Sequence, residues 1–325
     1  MQPDLVARAG ESFTFATEHL SLTPGPRGAR GQVWRLTAGP EVFALKHVFE
    51  GAPPARGEVG IEIVFARRAA AAGVCLPASH AARNGEYVVP LPHGGWLRLY
   101  DWLELGSADL AASAEALGIL LARLHRCAPP ADREPNGAPP DRWYAVPPPK
   151  HQWGPLIARA TEADMSWAAR LAAAVDRLPA LHSILASTDP AGMLLCHRDL
   201  HPGNVLSDGD GDLVVVDWED VGPADPAQEL ARALVACYAD GPPDLASMRR
   251  AYRSYVKADG PARVRSEADF TLVIATQLNF LSRQVHVALD PTALARDLEW
   301  AELEIDESLR SLLPPDLPTT ILDAL

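Results

Sequence analysis

Residues 194–219, LLCHRDLHPGNVLSDGDGDLVVVDWE, place His197, Asp199, Asn204 and Asp217 in one short stretch. Met193–Cys196 is a short apolar run, His197–Asn204 is polar and contains Pro202 and Gly203, and Leu213–Val216 is β-branched and ends at Asp217. This reads as two strands holding a loop. A loop carboxylate can orient or deprotonate a hydroxyl, which suits Asp199 to the role of catalytic base. Asn204 and Asp217 offer an amide oxygen and a carboxylate, hard ligands for Mg²⁺ that leave positions open for ATP phosphates and water, and they count with Asp199 as the catalytic set. His197 suits holding the loop by packing and hydrogen bonding rather than chemistry.

The octapeptide HRDLHPGN at 197–204 and VVDWE at 215–219 resemble the catalytic loop and metal motif of the aminoglycoside phosphotransferase and choline kinase family. The resemblance implies an α+β, two-lobed, protein-kinase-like fold. Its N-terminal lobe (1–102, with a hinge near 99–103) would carry an antiparallel sheet and one main helix; its mostly helical C-terminal lobe (103–325) would carry the catalytic loop and acceptor pocket. It also implies a strand lysine, a helix glutamate and a glycine-rich loop.

Only three of the 29 basic residues are lysines, Lys46, Lys150 and Lys257. Lys46 ends Val42-Phe43-Ala44-Leu45-Lys46, an alternating run that matches the V-A-I-K strand of kinases, where the ammonium reaches the α/β-phosphates. Gly25–Gly31 reads as a glycine-bearing hairpin loop whose amides at Gly28 and Gly31 could cover phosphates, although its G-x-x-G-x-x-G spacing departs from the protein-kinase pattern and Pro26 lacks a donor. Gly57–Ala72 reads as a helix offering both Glu58 and Glu62 as partner for Lys46. Glu62 is preferred for its place inside the helix and its spacing to Gly73-Val74-Cys75-Leu76-Pro77. Trp96–Leu103 reads as a strand leading into the hinge, so the resemblance assigns adenine binding to Tyr100, Asp101, Trp102 and Leu103. Ala108–Cys127 reads as a helix ending in LARLH, with His125 in a capping or structural role. Proline-rich Ala128–Gln152 reads as a loop with Trp143, Tyr144 and the following Trp153 as anchors or pocket walls.

After Asp217 the chain reaches DPAQELA at 225–231 within a few residues, which leaves no room for a protein-kinase activation segment. Amphipathic stretches at 270–289 and 292–313 suit a helical wall beside an acceptor site. Glu229 stands where the family usually has aspartate, so its role in supporting the loop is open. Arg198 stands where many members have a smaller residue.

The net charge of −13 disfavours nucleic acid and fits a small, cationic acceptor, for which Glu219, Asp220, Glu267 and Asp269, with Asp225, are candidate acids. Four widely spaced cysteines and an N-terminus without an apolar core of signal length point to a cytoplasmic protein with free thiols, no membrane segment and no obligate protein partner. The expected activity is ATP- and Mg²⁺-dependent phosphorylation of a hydroxyl on a small molecule, with GTP as the alternative donor. Arginine-, alanine- and proline-rich composition suggests a GC-rich bacterial genome, where antibiotic inactivation or self-resistance is a reasonable role. The alternatives are a kinase for a metabolite such as choline, homoserine, a sugar or a fructosamine, and a nucleotide-binding regulatory module without turnover.

Overall fold

The computed structural model describes residues 2–28, 31–131, 141–187 and 189–325. The chain divides into two compact units, Met1–Ser107 with Leu206–Glu219, and Ala108–Val205 with Asp220–Leu325. A boundary at 102/103 would leave 206–219 with the C-terminal residues. Instead this stretch returns to the N-terminal unit, for a reason that lies in its strand pairing.

In chain order the first unit contains α1 (Gln2–Ser12), β1 (Leu20–Arg27), β2 (Gly31–Ala38), β3 (Glu41–Val48), α2 (Arg56–Ala71), β4 (Ser79–His80), β5 (Val89–Pro90), β6 (Trp96–Asp101) and β7 (Gly106–Ser107). The chain then passes through α3 (Ala114–Cys127), α4 (Arg142–Ala145), α5 (Trp153–Glu162), α6 (Ala168–Val175), α7 (Leu178–Ile184) and β8 (Leu194–Cys196). It comes back as β9 (Val205–Ser207) and β10 (Leu213–Val215), and finishes with β11 (Gly222–Ala224), α8 (Pro226–Tyr238), α9 (Leu245–Lys257), α10 (Thr271–Ala288), α11 (Ala295–Ser311) and α12 (Leu317–Ala324). The architecture is the expected α+β class.

The main sheet of the first unit is antiparallel, in the order β1-β2-β3-β6-β4, with β5 also on β6. One face is covered by α1, whose Leu5 and Ala9, followed by Phe13 just past its end, recur every four residues and pack with Trp34, Leu36, Leu45, Leu97 and Leu99. Sequence reading had not found α1 or α12. The strand also extends further than the glycine-bearing loop reading of Gly25–Gly31 allows, since β1 runs through Gly25 and Pro26 to Arg27. Pro26 fits there because β1 is an edge strand, where a missing N–H breaks no inner ladder. A second small sheet, β10-β9-β7, and a bridge between Cys75 and Val214 draw 206–219 into this unit.

The second unit is mainly helical, with β8 and β11 as a two-stranded ladder, Gly222 opposite Cys196. Helix α3 buries Leu117, Leu120, Leu121 and Leu124, the expected apolar face, but starts at Ala114 rather than Ala108. It packs closely on α9: a Cβ on Gly118 would lie 2.0 Å from the Ala251 carbonyl oxygen and 2.9 Å from the Tyr255 nitrogen. These are backbone atoms and cannot rotate away. Gly118→Ala is expected to cost about 1–3 kcal/mol despite the better helix propensity of alanine. Equal or higher stability on urea denaturation would contradict this packing. The proline-rich loop contains α4 and a 3-10 turn at Lys150–Gln152. The four cysteines form no disulfide, and among the described residues no helix is long and apolar enough to cross a membrane.

Candidate active site

In the first unit, β3 directs Lys46 to two carboxylates. Its Nζ lies 2.7 Å from Asp217 Oδ1 and 2.9 Å from Glu219 Oε2. Burial works against the ammonium, but the two acids outweigh it and hold the Lys46 pKa above its ordinary value. Asp217 follows β10 with φ of 59°, a left-handed conformation that aspartate tolerates better than most residues. Trp218 fixes the turn by donating its indole N–H to Val215 O at 3.0 Å and packing edge-on to Phe65 of α2.

Glu62 is buried, as its choice over Glu58 required, but among the described residues it does not pair with Lys46. Both carboxylate oxygens accept from Arg98, each at 2.7 Å. Lys46 and Arg98 lie directly opposite each other in the β3–β6 ladder, so two cations share one face of the sheet. The planar guanidinium takes the bidentate acid, while the compact ammonium takes single oxygens from Asp217 and Glu219. Glu219 was expected to face the acceptor and instead serves Lys46, with its other oxygen 4.0 Å from Arg98. Burial pushes the Glu219 carboxyl above its usual range, against the pull of Lys46. Glu58 caps its own helix by accepting from Ala55 N at 2.9 Å.

Arg98 is only 1% exposed, so Arg98→Leu would strand the buried Glu62 carboxylate. The expected loss is about 3–5 kcal/mol. Arg98→Leu combined with Glu62→Leu removes both charges and is expected to recover most of it. A double variant no more stable than the single one, in urea denaturation, would show that the pair does not act as a unit.

The glycine loop gives less than its sequence suggested. Gly28 N donates to Gly31 O at 3.0 Å, so that amide closes the turn. A Cβ on Gly31 would meet His47 O at 2.4 Å, so close approach to β3 accounts for this glycine. Ala29 and Arg30 lie outside the described residues. At the hinge, β6 ends at Asp101, whose side chain is bound by His80 at 2.7 Å and by the Ala78 N–H at 3.2 Å. The Trp102 indole donates to Glu104 at 2.7 Å, Leu103 is exposed, and Tyr100 lies beneath the Arg98 guanidinium.

In the second unit, the loop after β8 brings Asp199 and Asn204 together. Asn204 Nδ2 donates to both Asp199 O and Asp199 Oδ2, each at 2.9 Å. Arg232 of α8 donates to Asp199 Oδ1 at 2.6 Å, and His201 Nε2 lies 3.6 Å from Oδ2. Burial alone would raise the Asp199 pKa, but the nearby His201 and the charges of Arg232 and His197 hold it well below the usual carboxylate range.

The loop is anchored beneath. His197 is fully buried, and Asp199 N donates to its Nδ1 at 3.3 Å. Arg198 has φ of 65°, a strained conformation for a long side chain, and three contacts hold it there. Its N–H donates to Glu229 Oε1 at 2.5 Å, its Nε donates to Asp220 O at 2.5 Å, and its guanidinium stacks 3.7 Å from the Tyr144 ring centre. A Cβ on Gly222 would collide with that guanidinium at 2.5 Å. The other Glu229 oxygen bonds His125 Nε2 at 2.9 Å, and His125 Nδ1 lies 2.8 Å from Tyr255 Oη. Thus Glu229 supports the loop, and His125 is structural. Burial opposes the Glu229 charge, but His125 and the Arg198 N–H outweigh it and lower its pKa.

Two other acids proposed for the acceptor are used elsewhere. Asp269 accepts from Arg265 N and Ser266 N at a turn, and Glu267 bonds Thr319. Asp225 caps α8 through Ala227 N. Sequence reading missed Arg98 and Arg232. Each had a signal: Arg98 interrupts an apolar strand, and Arg232 lies three residues after Glu229 on the same face of α8.

The sequence matches the phosphotransferase enzyme family (APH) over residues 21–266. No curated protein matches it. Solved structures of similar fold include a spectinomycin phosphotransferase in complex with ADP and spectinomycin, 13% identical, with a TM-score of 0.68 over 100% of this chain and 99% of that one. A microcompartment-associated aminopropanol kinase is 17% identical, with a TM-score of 0.60 over 94% and 95% of the two chains. Choline kinase from Cryptosporidium parvum is 10% identical, with a TM-score of 0.58 over 99% and 98%. The matched span contains the strand lysine, the catalytic loop and the metal motif from which the resemblance was read, and the chain belongs to the phosphotransferase enzyme family as a small-molecule kinase.

Proposed function

We propose that the protein transfers the γ-phosphoryl group of ATP, with Mg²⁺, to a hydroxyl of a small molecule. The observation that carries this reading is the bonding of Asn204 to Asp199. With its amide N–H₂ committed to Asp199, Asn204 keeps its amide oxygen as a neutral, hard donor of the kind Mg²⁺ accepts, and Asp217 supplies an anionic one. These are the residues that would hold the metal, which would neutralise charge on the β- and γ-phosphates when bound. Lys46, kept protonated by its two acids, would hold the α/β-phosphates. Asp199, kept anionic by Arg232 and His201, would orient the acceptor hydroxyl and take its proton. The backbone at Asp101–Leu103 would bind the adenine edge.

The resistance and metabolite readings share this chemistry and differ in the acceptor. Several solved structures of similar fold are antibiotic phosphotransferases, which supports the first; the aminopropanol and choline kinases support the second. The net charge of −13 suggested a cationic acceptor; of its four candidate acids, Glu219, Glu267 and Asp269 have partners elsewhere in the structure, and Asp220 bonds Tyr144 beside the catalytic loop. Purified protein is expected to release ADP with an acceptor from a panel of antibiotics and hydroxylated metabolites, and to stop when EDTA removes the metal. ADP release that persists in EDTA would refute the metal-dependent mechanism.

A further inference from the structure

The second unit contains a cavity of about 470 Å³, a size that accommodates a disaccharide or a drug-sized molecule. It is built from α4, the proline-rich segment after it, and α10. Asn279 of α10 ties these together by donating to Trp143 O at 2.7 Å and Val146 O at 3.0 Å.

The same two helices reach the catalytic loop. Tyr144, next to the cavity residue Trp143, stacks on Arg198, the neighbour of Asp199. Thr276 lies one turn before Asn279, about 4.5 Å along the axis. Its Oγ1 is 3.4 Å from Nε of Arg232, whose Nη2 holds Asp199. The cavity therefore opens along helices whose next turn contacts the partner of the base.

Its charge is the reverse of what the whole chain suggests. Arg142 and Arg283 line it, and Asp141 is the lone carboxylate among its described lining residues. Asp141 is already used to cap α4, accepting from Trp143 N at 2.9 Å. An ammonium-bearing acceptor would meet arginines in this cavity. A carboxylate, phosphate or sulfate would find the Arg142 guanidinium, the amide of Gln152, and the Trp143 ring to pack a sugar or other flat face.

We propose that the cavity between α4 and α10 is the acceptor site and that it selects a hydroxylated small molecule carrying an anionic group, rather than a polyamine. This rests on the kinase reading, and the test separates the two. Lactobionate, lactitol and 1-amino-1-deoxylactitol share one disaccharide skeleton and carry a carboxylate, no charge and an ammonium at the same end. Their affinities for the full-length protein would be measured by calorimetry in the presence of the non-hydrolysable analogue AMP-PNP and Mg²⁺, with AMP-PNP binding recorded separately. The carboxylate is expected to bind at least tenfold more tightly than the ammonium compound, with the neutral one between. Arg142→Glu, a change on an exposed position, is expected to shrink or invert that order. A preference for the ammonium compound, an order indifferent to charge, or no binding of any of the three overturns the inference. Failure of AMP-PNP to bind would instead count against the kinase reading.

Discussion

Asp199→Asn is expected to lower kcat by about 10²–10⁴-fold while leaving ATP affinity little changed. Asparagine keeps the volume and accepts one hydrogen bond, but it cannot take a proton and gives Arg232 no charge to pair with. The wild-type carboxylate is acidified by His201, Arg232 and His197 acting against burial, so its ionisation should not set the acid limb of the kcat profile near neutral pH. The sign is fixed by the direction of that shift. A carboxyl whose folded pKa lies below its unfolded one stabilises the protein above the unfolded value, and this contribution fades as pH falls toward the folded one. The variant should therefore lose stability relative to wild type at neutral pH, and the gap should close in strong acid. Activity within tenfold of wild type would remove Asp199 from the chemistry.

Glu229→Ala is expected to cost about 3–5 kcal/mol of stability by urea denaturation. This carboxylate is 2% exposed and bonds groups from two other parts of the chain, the Arg198 N–H and the His125 ring. Removing it leaves the buried Arg198 N–H and His125 Nε2 without this acceptor, and takes away a contact that holds Arg198 in its left-handed conformation. Activity should fall along with stability, because Asp199 is the next residue. Glu229→Asp tests the family departure seen in the sequence. The shorter acid cannot span both partners without a shift, so its stability should lie between those of Glu and Ala. A Glu229→Ala protein within 1 kcal/mol of wild type would mean that the loop is held by other contacts.

The parts of this protein that could be read directly were local. HRDLHPGN declared its loop because the turn residues and functional groups fall within eight positions, and Lys46 declared itself through an alternating strand in a chain poor in lysine. The pairings were harder. Glu62 was assigned to Lys46 because the sequence does not show that Arg98 stands across the ladder from Lys46 and offers a better-shaped partner. Glu219 looked like a spare acid because Lys46, its partner, is far away in sequence. Arg232 was hidden for the same reason, since its partner Asp199 lies on a different element. Helix α1 escaped because its apolar stripe is short, Leu5, Ala9 and Phe13, and one of the three is only an alanine. In each case the missing information was which distant residue completes the contact.

The Glu62–Arg98 bond also bears on how such an enzyme could be controlled. In protein kinases, activity is switched by bringing the helix glutamate to the strand lysine or taking it away. Here that glutamate is tied to the sheet through a different cation, and swinging α2 outward would part a buried guanidinium and carboxylate at a cost of about 3–5 kcal/mol. The detached state would be held by on the order of one molecule in a thousand. Displacing α2, the device that switches protein kinases, would therefore be costly in this chain, because it parts a buried ion pair rather than an exposed one.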